Sequence, residues 1–443
     1  MQLSRNLLML LALGAALASP RDAAASEIPA VALEARLSTP VALAGAPQTT
    51  FLKVEVSGSR LKLAARPAVN LAIVIDKSGS MAGSKMDRAR EAAVQAVSRL
   101  APNDIVSVIA YDTTVRVVVP ATKASDREVL IAGIRTIRAE GDTALFAGVA
   151  KAAGEVRKFL DRGRVNRIIL LSDGLANVGP SSPAELGRLG ASLRREGISV
   201  TTFGLGLGYN EDLMTSLARH SDGNHAFIED AANLGAYFDL ELGTALAVVA
   251  QDLELRVVFA EGVRPLRVLG RAAEIIGGEV VTSMNQVYAL QKQHLVVEVE
   301  LPPGVHLASR PVASVRATYS NLGTRATESA SREVSVSYAA EAVAVERATD
   351  RDVIVSSVEL ISNEQNRLAV KERDEGRVDV ARDLLKKNAR YLRDNATRWS
   401  APSLDKLNQS NEEDASNLEG KSWNRQRKVM RKKQIELELQ QAY

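Results

Sequence analysis

Apolar and polar positions alternate in different rhythms along this chain, and each change of rhythm marks a boundary. Between about residues 28 and 68, short stretches of strand character such as 31–37 and 50–56 are separated by Pro and Gly. They are too small to close a core alone. From Leu71 the texture becomes apolar strands alternating with amphipathic helices, which predicts an α/β unit with a largely parallel sheet. The expected strands cover residues 71–75, 105–111, 115–119, 167–171, 199–205 and 225–228, and a last helix covers about 231–249. Two of the intervening helices open with capping boxes, at Ser125 to Glu128 and at Ser182 to Glu185. At Asp252 simple alternation returns, in 253–259, 294–301 and 333–338, and this predicts a β-sandwich. From about Asp350 the period is helical, with helices to about 374 and over 378–395 turning at Gly376.

The strands before residue 71 lack a core and those after 252 gain from further pairing. The fold expected is therefore a doubly wound, mostly parallel α/β unit inserted in a β-sandwich and followed by a C-terminal helical hairpin. Two separate β pieces are the alternative. The boundaries are 1–26 for a signal peptide, 27–69 for the first strands of the split β-domain, 70–249 for the α/β unit and 250–342 for the sandwich. The hairpin covers 343–398, and 399–443 forms a charged, partly disordered or helical tail.

Composition narrows the chemistry. A length of 443 residues implies several folding units, and 46% hydrophobic with 25% charged residues is ordinary globular usage. The net charge of +3 is too small to mark a nucleic-acid binder. With no cysteine there is no disulfide, thiolate nucleophile, Cys-ligated zinc or lipid-modified cysteine. At the N-terminus Arg5, an apolar run over 7–18 and Ala23-Ala24-Ala25 read as a secretory signal, with Ala16-Leu17-Ala18 as a competing cleavage site. The apolar run is shorter than a span of roughly 20 residues, so the expectation is export to the periplasm, cell envelope or medium, with no transmembrane segment after cleavage.

The strand at 71–75 runs into Asp76-Lys77-Ser78-Gly79-Ser80, a D-x-S-x-S sequence at a strand's C-terminal end, where doubly wound sheets bind ligands. Carboxylate and hydroxyl oxygens at alternate positions suit a hard cation, Mg²⁺ first and Mn²⁺ or Ca²⁺ as alternatives. Thr143, in Gly141-Asp142-Thr143-Ala144, and Asp173, after the strand at 167–171, fall on the same expected edge. Lys77 reads as a solvated loop residue, with steering of an acidic partner as the alternative, and Asp142 as a cap for the following helix, with support of the metal ligands as the lesser option.

This set, Asp76, Ser78, Ser80, Thr143 and Asp173 in their strand and helix context, closely resembles the von Willebrand factor type A domain and its metal-ion-dependent adhesion site. The resemblance covers about residues 70–249, and all five family positions are filled. It implies Ser78, Ser80 and Thr143 as neutral ligands, direct or through water, and Asp76 and Asp173 as carboxylates bound partly through water. Two carboxylates at most balance a divalent ion, so the metal stays electrophilic toward another anionic oxygen. In the family that oxygen belongs to a Glu or Asp of another protein. The function implied is exported, cation-dependent protein binding by an adhesion or scaffold protein. A structural envelope component, in which metal mainly stabilises the fold, is the alternative. The order of parts also resembles exported bacterial proteins described as calcium-activated chloride-channel homologues, and by domain order alone the heavy chains of inter-alpha-trypsin inhibitor.

No enzyme is expected. The aspartyl-phosphatase pattern needs a second aspartate where Ser78 stands, and G-x-S-x-G, Walker and H-E-x-x-H motifs are missing from the sequence. His220, His225, His294 and His306 are scattered, and the glycines at 204, 206 and 208 lack dinucleotide-binding spacing. Arg425, Arg427, Lys428, Arg431, Lys432 and Lys433 cluster beside Trp423. That cluster reads either as contact with an anionic membrane surface or envelope polymer, or as a solvated helix or disordered tail.

Overall fold

The computed structural model describes residues 29–60 and 66–440. The expected signal peptide lies outside them. Three strands come first: β1 (Val31–Leu37), β2 (Val41–Leu43) and β3 (Gln48–Gly58). The α/β unit follows, as β4 (Ala68–Asp76), α1 (Ser84–Arg99), β5 (Ile105–Tyr111), β6 (Val115–Lys123), α2 (Arg127–Arg135) and α3 (Leu145–Arg157). It continues through β7 (Arg164–Ser172), α4 (Pro183–Arg195), β8 (Ile198–Leu205), α5 (Glu211–His220), β9 (His225–Ile228) and α6 (Leu234–Leu246). The later strands are β10 (Val248–Phe259), β11 (Arg264–Gly270), β12 (Glu274–Ile276), β13 (Glu279–Tyr288), β14 (Lys292–Leu301), β15 (Ser309–Asn321) and β16 (Thr327–Ala339). Helices α7 (Ala342–Ala348), α8 (Arg351–Asp374), α9 (Val378–Trp399), α10 (Pro402–Ser416) and α11 (Gly420–Leu439) end the described chain.

The α/β sheet has the order β6-β5-β4-β7-β8-β9, parallel except for β6. Its central strands are apolar runs buried on both faces, as a parallel sheet covered by helices requires. Ile73, Ile75 and Ile169 face the layer of α1 and α6, whereas Val74, Ile168 and Leu170 face that of α3, α4 and α5. Chain order reverses between β4 and β7, so the crevice beyond their C-terminal ends is the topological switch point of the sheet.

The flanking strands form two facing sheets, β1-β3-β14-β11 and β12-β13-β10-β15-β16-β2, around a shared core. The pairing of β3 with β14 and of β2 with β16 joins chain segments on either side of the α/β unit, which is therefore an insertion. Buried Arg167 of β7 ties the two parts together. Its guanidinium pairs with Glu241 of α6 and donates to Gln286 and, at 2.6 Å, to the Tyr288 hydroxyl of β13.

Several details depart from expectation. The helix expected over 231–249 ends at Leu246, because residues from Val248 onward pair with β13 and β15. Asp126, not Ser125, caps α2, whereas the Ser182 and Glu185 capping box is present on α4. The segment after residue 399, expected as a partly disordered or helical tail, forms α10 and α11. The latter lies against α5, with Ile435 and Leu439 closing over Ala218.

Candidate metal centre

The apolar run of β4 drives the strand into the core and leaves Asp76 at its end, where local hydrogen bonding shapes the following turn. Ser78 N donates to Asp76 Oδ1 at 2.9 Å, and buried Met81 anchors the short 3₁₀ turn over Gly79–Met81. Asp76 Oδ2 accepts from the Ser172 hydroxyl at 2.6 Å. Burial pushes the Asp76 carboxyl above its ordinary value, a push that these hydrogen bonds only partly oppose.

Thr143 is carried by the loop before α3. Gly79 N donates to Gly141 O at 3.0 Å, so the two loops share a backbone bond. Asn177 then clamps Thr143: its Oδ1 accepts from Thr143 N at 2.8 Å and its backbone N donates to Thr143 O at 3.2 Å. Asp142 does not cap α3, whose N-cap is Ala144 without a side-chain bond. It accepts from Asn177 Nδ2 at 3.3 Å instead.

The structure brings all five expected residues to one place. Ser80 Oγ donates to Asp173 Oδ1 at 2.6 Å and lies 3.1 Å from Ser78 Oγ. A Cβ added to Gly174 would sit 3.1 Å from Thr143 Oγ1, 3.4 Å from Ser80 Oγ and 3.7 Å from Ser78 Oγ. Three hydroxyls thus border a space that the missing glycine side chain leaves open, with Asp76 bonded to Ser78 N and Asp173 to Ser80 Oγ. The donors are all oxygen, two carboxylates and three hydroxyls, and this chemistry fits a hard divalent cation and no soft one.

Lys77 is not solvated. It is buried, and its ammonium pairs with Asp112 and, at 2.7 Å, with Glu140. Burial alone would lower the Lys77 pKa, but the two carboxylates outweigh it and hold it above the ordinary value. Lys77 and Glu140 thereby staple the D-x-S-x-S loop to the Thr143 loop. Residue-by-residue reading of the sequence missed Ser172, Asn177 and Lys85, the last of which pairs with Asp173. Only Ser172 carried a local signal, as the residue immediately before Asp173.

Five of the six basic residues clustered near the C-terminus are ion-paired, and the sixth, Lys433, donates to the Ser410 hydroxyl. Arg425 pairs with Glu229, Arg427 with Glu211, Asp212 and Asp374, Lys428 with Glu211, Arg431 with Asp212, and Lys432 with Glu436. Lys428 also donates to Tyr209 O at 2.8 Å and stands over the Tyr209 ring. Arg425, Arg427, Lys428 and Arg431 tie α11 to the α/β unit, Arg427 also reaches Asp374 of α8, and the Lys432 pair lies within α11, so the cluster forms a docked helix and not a disordered tail.

Residues 70–239 match the von Willebrand factor type A domain model, and this part of the chain is a von Willebrand factor type A domain. Three proteins illustrate what the chain is similar to. The uncharacterised Escherichia coli protein YfbK is 31% identical over 214 residues, covering 48% of this chain and 37% of the relative. Human inter-alpha-trypsin inhibitor heavy chain H4 is 31% identical over 151 residues, covering 32% of this chain and 16% of the relative. The chain thus spans well under half the length of these relatives. A von Willebrand factor type A structure from Catenulispora acidiphila superposes with a TM-score of 0.72 over 94% of this chain and 98% of its own. At 17% identity that likeness shows the fold. Among the described residues no helix is long and apolar enough to cross a membrane.

Proposed function

We propose that the type A domain binds a protein partner through a divalent cation held by Asp76, Ser78, Ser80, Thr143 and Asp173, within an exported, non-enzymatic adhesion or scaffold protein. The observation that carries this reading is the convergence of the three hydroxyls on the space beside Gly174. The bound ion, Mg²⁺ first among the hard cations, would supply an electrophilic position for a partner's Asp or Glu oxygen. The chain's own residues prepare that position. Ser172 orients Asp76, Asn177 and the Lys77 staple hold Thr143, and Ser80 orients Asp173. The N-terminal sequence supports export.

Calorimetric titration of the full chain with Mn²⁺ tests the metal site. Wild type should bind one ion, and Asp76→Ala and Thr143→Ala should bind at least about tenfold more weakly, a loss of about 1.4 kcal/mol. Equal affinities in all three would remove the site assignment. Crosslinking in the native envelope with and without chelator tests the partner: a chelator-sensitive crosslink lost in Thr143→Ala supports binding. Metal-dependent thermal stability without such a crosslink would favour a structural role for the ion.

A further inference from the structure

The two carboxylates of the site are held unequally. Asp76 takes its hydrogen bonds from neutral groups, Ser78 N and the Ser172 hydroxyl. Asp173, whose side chain is fully buried, divides its oxygens: Oδ1 accepts from the Ser80 hydroxyl, on the side of the hydroxyl cradle, and Oδ2 takes the ammonium of Lys85. Lys85 lies in the first turn of α1, also donates to Ser80 O at 3.3 Å, and has a side chain 37% exposed. It therefore reaches the buried carboxylate from solvent. Lys77, the other cation adjoining the loop, is occupied by Asp112 and Glu140.

We propose that Lys85 sets the charge of the metal-loaded site: it acts as a resident counter-cation on Asp173, holds down the affinity for a divalent ion, and leaves the loaded site with a net positive charge that selects an anionic oxygen ligand. This rests on the cation-binding reading above. Two carboxylates neutralise a divalent ion, and an ammonium bonded to one of them restores one unit of positive charge. Around buried groups such a charge is poorly screened, so it repels the incoming metal ion and attracts a carboxylate. A neutral amide or hydroxyl ligand gains much less from it. The ligand class that fits is a protein Asp, Glu or C-terminal carboxylate. Lys85 acts through Asp173 and is a positioning residue, and the sign of its effect separates this role from a structural one. A residue that merely braced the site would weaken metal binding when removed, whereas a resident counter-cation strengthens it.

The test uses the full chain, with Mn²⁺ as metal probe and acetate as carboxylate probe. Calorimetry gives the Mn²⁺ affinity, and water-proton relaxation of the Mn²⁺-loaded protein reports displacement of metal-bound water by acetate. Lys85→Gln and Lys85→Ala should each bind Mn²⁺ about tenfold more tightly and need about tenfold more acetate for half displacement, with Lys85→Arg within about twofold of wild type in both. Both neutral variants sit in a partly exposed first turn, and their melting curves report whether they fold. Weaker or unchanged Mn²⁺ binding, or an unchanged acetate response, in whichever neutral variant folds overturns the inference. Absence of Mn²⁺ binding in wild type and Thr143→Ala alike overturns the underlying metal reading, and this inference with it.

Discussion

The hydroxyl of Ser172 donates to Asp76 Oδ2 at 2.6 Å, joining the ends of the two central strands where the chain order reverses. Both residues are fully buried, so this bond decides how the first carboxylate of the site points. Ser172→Ala leaves a buried acceptor oxygen without its donor, and should destabilise the metal-free protein by about 1–3 kcal/mol. Mn²⁺ affinity should fall several-fold at the same time. Urea unfolding in chelator and a Mn²⁺ titration measure the two effects; an unchanged urea midpoint would refute the role given to this bond.

Gly174 provides the sharper test of the cradle. Its backbone lies outside the left-handed region, so alanine is conformationally acceptable there. The added methyl would sit 3.1 Å from Thr143 Oγ1 and fill the space between the hydroxyls. Gly174→Ala should abolish detectable Mn²⁺ binding while leaving the melting temperature in chelator within a few degrees of wild type. Retained metal affinity would show that the cation sits elsewhere.

Arg427 forms the centre of the α11 contact, with its side chain 16% exposed against Glu211 at 6%. Removing Arg427 takes one cation from Glu211, Asp212 and Asp374 but leaves Glu211 with Lys428 and Asp212 with Arg431, at a cost of about 1–3 kcal/mol. Arg427→Ala should therefore speed amide exchange over residues 420–439 and leave the amides of β4 and β7 protected. The exposed Arg425–Glu229 pair, at 50% and 52%, is the control, worth less than about 1 kcal/mol. Equal effects of the two substitutions would contradict this account of α11 docking.

His225 makes stability depend on pH. Its ring is buried, with Thr202 Oγ1 at 2.8 Å and the Tyr209 hydroxyl at 3.3 Å. Burial, with smaller contributions from Lys432 and Lys428, pushes its pKa down to about 3. The unfolded chain takes up a proton near pH 6.5 and the folded one does not. The contribution is thus complete above pH 6.5 and is lost as pH falls toward 3, by about 1.4 kcal/mol per unit at most. His225→Gln should flatten the fall in unfolding free energy between pH 6.5 and 5, a window above most carboxylate titration. Chemical denaturation at several pH values checks this, and parallel curves for the two proteins would count against it.

Much of the candidate site was legible because its chemistry is local. Asp76 directly follows a short apolar run and Asp173 follows another by one residue, as expected at the ends of buried strands, and D-x-S-x-S places its oxygens by a tight turn. Lys77 was misread for the opposite reason: a lysine flanked by polar loop residues looks solvated until Asp112 and Glu140, distant in sequence, are brought against it. Asn177 was invisible because it acts through the Thr143 backbone, and no side-chain pattern announces a backbone clamp.

The tail shows the same division on a larger scale. Its sequence reads as solvated because charge density is a local property, whereas its structure is decided by Glu211, Asp212, Glu229 and Asp374, contributed by other helices and loops. By itself the sequence determined the α/β rhythm, the order of the parts and the identity of the candidate oxygen donors, since each depends on residue type and short spacing. Tertiary structure alone decided the partners of Lys77, Arg167 and Arg427, the cradle beside Gly174 and the unequal holding of the two aspartates. Electrostatic pairing and close packing depend on distance in space, and folding sets that distance between residues with no fixed separation along the chain.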